Sequence, residues 1–263
     1  EDASRHELSA FLPRETALAE GILEPWAPED LAWARRLCSG LGQRLASLLQ
    51  TSARTMKGTG RSGRRLDSSV LWRAGARDGR VFRTQARRQS ADAAVLVLVD
   101  ASGSMCGACC DLASAAMLSV LEALDQVKGV QAGAAAFSAA GGTKLVHAVV
   151  RAPGDRTPAA MLPRTGAGGG TEIAGSMLHC ASLLPDAPRR IMLVVSDGED
   201  VPRTVRAAER ELADRGILVA GVSVMSDMLM QGLSRCTKAD SPDEIPAAVF
   251  GALQDVLLHG SGA

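Results

Sequence analysis

Acidic and hydroxyl residues follow two apolar runs of this sequence. The first run leads into Asp100, Ser102 and Ser104, and the second leads into Asp197. Their side chains offer only oxygen donors, and an all-oxygen set suits Mg²⁺, Mn²⁺ or Ca²⁺ rather than zinc or copper. Alternate residues of an extended turn point the same way, so the first three side chains can converge on one ion. The spacing therefore predicts a site for a hard divalent cation.

A glycine-rich segment, 166–170, lies between these two runs and ends at Thr171. Its glycines would let the backbone bring the Thr171 hydroxyl close to the same ion. Two carboxylates neutralise a divalent cation, whereas neutral hydroxyls leave it electrophilic enough to accept one more carboxylate. We therefore expect the ion, Mg²⁺ with Mn²⁺ or Ca²⁺ as alternatives, to hold an Asp or Glu of a partner protein. The predicted metal ligands are Asp100, Ser102, Ser104, Thr171 and Asp197.

The apolar runs also predict the elements that position this site. Uninterrupted runs such as 95–99 and 191–195 are typical of parallel strands that are buried on both faces. Strands and helices alternate from residue 91 onward, which predicts an α/β fold: a doubly wound, mostly parallel central sheet with helices on both faces. Ligands bind at the carboxyl ends of the strands in such a sheet. The predicted strands are 95–99, 130–137, 145–150, 191–195 and 217–224, and the predicted helices are 109–128, 173–184, 202–215 and 244–258.

The residues before 91 do not show this alternation of strands and helices. Residues 1–55 predict a helical segment, with a short helix through 15–20 and an amphipathic helix from Pro28 to about Gln50. Residues 51–90 contain eleven basic and two acidic residues, which gives a local charge of +9. We expect residues 56–90 to form a basic strap or linker that packs on the main domain, residues 91–263. Within the strap we expect a loop at 57–63, one helical turn at 67–72 and an edge strand at 80–84.

Composition excludes several classes of protein. The chain has 263 residues, 46% of them hydrophobic, and no net charge, which excludes global disorder and removes any whole-chain argument for nucleic acid or a membrane surface. No apolar run reaches the roughly 18–20 residues that span a bilayer. Six cysteines are too few for a disulfide scaffold. We therefore expect a cytoplasmic protein; because the sequence begins at Glu1 without a Met, we also expect a processed or excised fragment.

The order of these motifs resembles the metal-ion-dependent adhesion site of von Willebrand factor type A (vWA) domains, over roughly residues 91–258. The resemblance covers Asp100-x-Ser102-x-Ser104, then Thr171, then Asp197-Gly198. It implies that the two serines bind the ion directly, that the threonine binds directly or through water, and that the two aspartates act through waters or support the ligands. It also implies a module without catalysis of its own that grips an acidic side chain of a partner.

A narrower resemblance begins upstream of this domain. Residues 63–67, Val81-Phe82 and 96–105 are similar to the C-terminal part of cobaltochelatase T-subunit-like proteins. Relatives of those proteins pair with AAA+ ATPases of the MoxR type, so the resemblance implies an adaptor of such a machine. The alternative is a subunit of an ATP-dependent metal chelatase, although the acidic linker and longer insertion of cobaltochelatase subunits proper are missing. A further alternative is an exported adhesin, or a nucleic-acid binder that uses the basic strap, which has few aromatic residues for that role.

Other residues favour structural roles. Cys106, Cys109 and Cys110 could form a redox pair or a soft-metal set, but a helix start with small buried thiols is favoured, because no second Cys or His pair has zinc-like spacing. The loop 166–170 lacks a Gly-Lys-Ser/Thr ending, and Ser104 lacks the flanking glycines of a nucleophile elbow, which disfavours nucleotide binding and hydrolysis. We expect flexible packing or a partner surface for Met225, Met228 and Met230. We expect His147 and His179 to be core or surface residues.

Overall fold

The computed structural model of this protein is built around one mixed sheet. The structure describes residues 15–18, 22–33, 35–36, 55–62, 65–66, 68–70, 82–87, 93–140, 144–198 and 200–259. The strands in this part of the chain are β1 (Glu15–Leu18), β2 (Leu23–Glu24), β3 (Thr55–Gly60), β4 (Phe82–Arg87), β5 (Ala93–Asp100), β6 (Val130–Ala140), β7 (Lys144–Arg151), β8 (Arg164–Thr165), β9 (Arg189–Ser196), β10 (Ile217–Val224) and β11 (Cys236–Ala239). The α-helices after β5 are α1 (Ala108–Asp125), α2 (Ile173–Cys180), α3 (Pro202–Asp214), α4 (Met228–Gly232) and α5 (Ile245–His259).

The described part of the chain forms a seven-stranded sheet in the order β1-β7-β6-β5-β9-β10-β11. Neighbouring strands are parallel except for the antiparallel pair β6 and β7. Every residue of β5 is buried, because the strand is central and both of its faces are covered. The register sets Val99 beside Val195, so Asp100 at the end of β5 lies level with the end of β9.

Helices cover both faces of the sheet, and the side chains of β5 point alternately into the two cores between the sheet and these helices. Val95, Val97 and Val99 pack in a core with α1 and α5. Leu96 and Leu98 pack in the opposite core with α2 and α3. This is the predicted doubly wound α/β sheet, and the predicted strands and helices after residue 91 are confirmed, with bounds that differ by a few residues. The predicted helix 173–184 is longer than the observed one, because α2 ends at Cys180 and a 3₁₀ turn follows.

Two predictions for the chain before residue 91 are wrong. Residues 15–18 are not helical but form β1, which pairs in parallel with β7, because pairing with an edge strand satisfies backbone groups that local helix propensity ignores. Residues 57–60 belong to β3 rather than to a loop, since they pair with β4 in antiparallel register. The edge strand expected at 80–84 corresponds to β4.

Other predictions fall partly outside the described residues. Residues 28–33 and 35–36 are helical, in agreement with a helix that starts at Pro28, and residues 37–50 lie outside. The helical turn expected at 67–72 appears as a 3₁₀ turn at Ser68–Val70. Strand β11 and helix α4 were not predicted. Among the described residues, no helix combines the length and apolar character that a bilayer crossing requires.

Candidate metal centre

Asp100 ends β5 with a carboxylate that is buried completely. Its Oδ1 accepts a hydrogen bond of 2.8 Å from the backbone N–H of Ser102, and its Oδ2 accepts one from the hydroxyl of Ser196. Burial raises the pKa of this carboxyl to about 7, although the hydrogen bonds from Ser196 and Ser102 favour the charged form. A nearby cation would favour the charged form further, so the environment of Asp100 suits a site that holds positive charge.

Ser102 and Ser104 extend this site toward the surface. Ser102 is buried, Ser104 is exposed, and their Oγ atoms lie 3.0 Å apart. The spacing of two residues thus brings both hydroxyls together, as the sequence predicts. The pair forms a row of oxygen atoms that leads from the buried carboxylate to solvent.

Asp197 comes directly after β9 and contributes the second carboxylate. The Ser196 hydroxyl that donates to Asp100 also accepts a hydrogen bond of 3.0 Å from the N–H of Gly198, so one side chain joins both strand ends. The charge of Asp197 contributes to the raised pKa of Asp100, since the two carboxylates are close. Asp197 Oδ1 is buried and has no hydrogen-bond partner among the described residues. An unpartnered buried carboxylate oxygen is costly, and a bound cation would satisfy it.

The glycine loop 166–170 is held against the turn after β5. Gly168 N–H donates to Ala101 O at 2.8 Å, and Gly103 N–H donates to Gly169 O at 3.0 Å. Thr171 follows this loop directly and is half-buried. The backbone therefore brings the Thr171 segment to the same edge of the sheet as the two serines, while ligation of an ion by its hydroxyl stays a prediction.

The helix after Thr171 is held by a carboxylate that sequence reasoning missed. Asp200 Oδ2 accepts hydrogen bonds from the N–H groups of Ile173 and Ala174, at 2.8 and 3.2 Å, at the start of α2. Glu172 caps the same helix by accepting from the N–H of Gly175. Burial and the negative charge of Asp200 raise the pKa of Glu172. These acceptors satisfy the first N–H groups of α2 and hold the helix start beside the glycine loop.

The structure thus brings Asp100, Ser102 and Ser104 together with Asp197, and it places Thr171 at the end of the adjoining loop. Ser196 is the other residue that sequence reasoning missed, because its role is a hydrogen bond to Asp100 on another strand. No three His, Cys, Asp or Glu side chains of the described residues form a metal cluster. The predicted set contains only two carboxylates, and its other predicted ligands are hydroxyls.

The cysteines beside this site have different environments. Cys106 is exposed, Cys109 is half-buried and Cys110 is buried, so the expectation of buried thiols holds for Cys110 and is wrong for Cys106, which precedes α1. The Cys110 thiol lies 3.1 Å from the carbonyl oxygens of Thr165 and Gly166 and donates toward them. Burial raises its pKa to about 11, which keeps it protonated and able to hold the start of the glycine loop.

Comparison with solved structures finds chains of similar fold at low identity. The pilus adhesin SpaC from Lactobacillus rhamnosus GG in its open conformation is 14% identical with a TM-score of 0.49, over 63% of this chain and 30% of the adhesin. The conserved hypothetical protein BatB from Bacteroides thetaiotaomicron is 14% identical with a TM-score of 0.41, over 62% of this chain and 98% of BatB. The SpRpn10 VWA domain is 10% identical with a TM-score of 0.44, over 65% of this chain and 98% of that domain.

Comparison with the curated proteins finds no significant match. The sequence does match a protein-family model, described as VWA domain containing CoxE-like protein, over residues 41–251. The match covers most of the chain and includes every predicted metal ligand. The chain belongs to the family of VWA domain containing CoxE-like proteins.

Proposed function

We propose that this chain is a protein-binding module without catalysis of its own, which holds an acidic side chain of a partner through a divalent cation. Asp197 Oδ1 carries the proposal, because it is buried without a partner in the described part of the chain and lies at the same sheet edge as Asp100 and the serine hydroxyls. A cation with one free coordination position would satisfy this oxygen and offer a positive charge to an incoming carboxylate.

The residues at this edge fit Mg²⁺ in the proposed role. Ser102, Ser104 and Thr171 would supply hydroxyl ligands, and Asp100 and Asp197 would balance the charge of the ion. The hydrogen bonds to Asp100 from Ser102 N–H and from a neighbouring strand fix the direction of its carboxylate before any ion binds. Hard cations of this kind prefer oxygen ligands, and Mn²⁺ or Ca²⁺ could take the same place.

The proposed partner is an AAA+ ATPase of the MoxR type, for which this chain would act as a cytoplasmic adaptor. This part of the proposal is supported by the sequence similarity of residues 63–67 and 96–105 to cobaltochelatase T-subunit-like proteins. The alternative, a subunit of an ATP-dependent metal chelatase, uses the same metal centre but a different complex.

Titration with Mn²⁺ tests the metal centre. Free Mn²⁺ gives an electron paramagnetic resonance signal that is lost on binding, and Mg²⁺ should restore it by competition. We expect Ser102→Ala and Asp197→Ala to weaken Mn²⁺ binding by about tenfold or more, because each removes a ligand or its support. Ser182→Ala is the control, since that exposed serine bonds only to His179 O among the described groups. Wild-type affinity in the Asp197→Ala variant would contradict the proposal.

Capture from a lysate of the native host tests the partner. The tagged chain is incubated with Mg²⁺ or with a chelator, and the bound proteins are identified by mass spectrometry. We expect an AAA+ ATPase that is retained with Mg²⁺ and lost with the chelator. Recovery of a large chelatase subunit would favour the alternative, and retention that ignores the chelator would place the interface elsewhere.

A further inference from the structure

Exposed apolar side chains are concentrated near the candidate metal centre. Met225, Met228 and Met230 follow β10 and are 59%, 39% and 43% exposed, and Val201 before α3 is 54% exposed. We call these four residues the apolar patch. They are four of the seven large hydrophobic side chains that are exposed in the described part of the chain. Grouped apolar surface of this kind marks interaction sites, whereas single exposed residues are ordinary.

The apolar patch lies next to the Asp197 turn. A Cβ at Gly198 would lie 2.5 Å from the backbone N of Leu229, so helix α4 packs directly on the residue that follows Asp197. Leu229 is buried and sits between Met228 and Met230 in sequence, which places both exposed methionines on the helix that contacts this turn.

A second contact joins the apolar patch to the other side of the centre. The Sγ of Cys109, on α1, lies 3.7 Å from the Sδ of Met225. The charge of Asp197 contributes to raising the pKa of Cys109, after burial, so the thiol is close to that carboxylate. Met225 therefore contacts the first turn of α1, the helix that follows Ser102 and Ser104 in the chain.

The loop after β10 holds Met225 outward in a conformation that costs energy. Its φ of 54° is the only left-handed φ of a non-glycine residue in the described chain, and residues other than glycine rarely adopt it. Met225 N–H donates to Ala239 O at 2.8 Å, and Lys238 Nζ bridges Asp227 and Asp240 at 2.9 and 2.8 Å. These contacts fix the loop, while the strained residue leaves more than half of an apolar side chain exposed to solvent.

The charges nearby restrict what can dock there. Asp100, Asp197 and Asp200 lie at the same edge of the sheet and would repel a carboxylate in the absence of a cation. An acidic residue of a partner can therefore bind here only when the cation is present. The residues beside it in the partner would contact the apolar patch.

We infer that the partner's docking segment carries a bulky aliphatic or aromatic side chain beside its acidic residue, and that this side chain packs on the apolar patch while the carboxylate meets the cation. The inference rests on the proposed function. Methionine side chains are flexible and polarisable, so they adapt to apolar groups of different shape. The patch supplies apolar contact area that a single carboxylate lacks.

Selection of displayed peptides tests this inference. Two phage libraries carry random residues on both sides of a fixed central glutamate or a fixed central glutamine, and both are selected on the full chain in Mg²⁺. We expect binders from the glutamate library alone, with leucine, isoleucine, phenylalanine or methionine enriched next to the glutamate. The best peptide should bind the Met228→Ser/Met230→Ser variant about tenfold more weakly, the change expected for losing burial of one large apolar side chain.

Matched variants separate the possible outcomes. Met161→Ser is the control, because Met161 is 75% exposed but lies in a different loop, between β7 and β8, and it should select the same peptides as wild type. Glutamate-dependent binders without apolar neighbours, or unchanged enrichment on the Met228→Ser/Met230→Ser variant, would overturn the inference and leave the proposed function standing. Equal selection from the glutamine library, or no binder at all to the folded chain, would overturn both. Melting curves of each variant confirm that it is folded.

Discussion

Gly169 occupies a position that no other residue type fits. Its φ is +84°, and a Cβ there would lie 2.5 Å from both Ala139 O and Ser138 Oγ. We expect Gly169→Ala to lower the free energy of unfolding by about 2–4 kcal/mol, because left-handed strain and overpacking add. Gly107 is the matched control, with φ +83° and no heavy atom of the described chain within 4 Å of its added Cβ. Gly107→Ala should cost about 1 kcal/mol by urea denaturation, and equal losses in the two variants would show that the close approach is unimportant.

His147 couples stability to pH. Its Nε2 lies 3.2 Å from the Nε2 of His179, a hydrogen bond that needs one neutral ring. Burial, and then the charge of His179, lowers the pKa of His147 below its usual value. The unfolded chain therefore takes up a proton near pH 6.5 that the folded chain resists, so this contribution is complete above about pH 6.5 and is lost as the pH falls.

We expect the His147→Gln variant to lose less stability than wild type between neutral pH and about pH 5.5. Urea denaturation at both pH values measures the difference. The same acid sensitivity in both proteins would mean that His147 titrates normally in the folded state.

At the scale of one element, α2 depends on a carboxylate from another loop. Asp200 accepts from the N–H groups of Ile173 and Ala174 and so caps the helix that follows Thr171. We expect Asp200→Ala to destabilise the protein by about 1–2 kcal/mol and to weaken Mg²⁺ binding, although Asp200 is not a predicted ligand. Asp200→Asn keeps an acceptor and should restore part of both losses. Calorimetric titration with Mg²⁺ would contradict this if Asp200→Ala bound the ion as wild type does.

Helix α1 and strand β7 are joined by an ion pair between the buried Arg151 and the exposed Asp125. Arg151 is 1% exposed, and its two terminal nitrogens donate to Asp125 at 2.7 and 2.9 Å. Removing the acid takes two charge-assisted hydrogen bonds from a buried guanidinium, so we expect Asp125→Ala to cost about 2–3 kcal/mol. Arg151→Met keeps apolar volume and removes the charge, and it should cost less. A larger loss for Arg151→Met in urea denaturation would show that the hydrogen bonds to the backbone dominate.

The elements that sequence analysis predicted well are those whose burial shows in their own residues. The run 95–99 is apolar throughout because both faces of β5 are covered, and α3 shows helical spacing. Strand β1 and strand β11 have four residues each, too few for a pattern. They form because the edges of a larger sheet offer partners, and the partner of β1 lies far away in the sequence.

The residues of the candidate site also differ in how far the sequence alone predicts them. Asp100, Ser102 and Ser104 could be predicted, because they share one turn and their spacing alone indicates convergence. Ser196 and Asp200 could not be assigned, because their roles consist of hydrogen bonds to groups on other elements. A short motif shows which atoms can bind an ion, and only the fold shows which side chains orient them.

At the scale of the whole molecule, the N-terminal segment supports the site from outside the sheet. Strand β2 pairs with β8, and Ile22 O accepts from Gly166 N–H at 2.8 Å at the start of the glycine loop. Arg164, in β8, bridges Glu24 and Asp111 at 2.7 Å each. The boundaries at 55 and 90 stay predictions, but the chain before residue 56 contributes contacts to the loop that leads to Thr171.

Magnesium should stabilise the whole fold, because a ligand that binds only the native state shifts unfolding by mass action. Saturation at about 100 times the dissociation constant contributes about 2.7 kcal/mol, which corresponds to a rise in Tm of about 5–10 °C for a chain of this size. Asp197→Asn should abolish that rise. In the presence of a chelator the same variant should melt at or above the wild-type temperature, because it removes the charge of a half-buried carboxylate whose buried Oδ1 lacks a partner among the described residues. A variant that melts lower than wild type in chelator would show that Asp197 stabilises the fold itself. For a metal ligand, the change in Tm caused by Asp197→Asn should be negative with Mg²⁺ and zero or positive without it, and this difference distinguishes a ligand from a structural carboxylate.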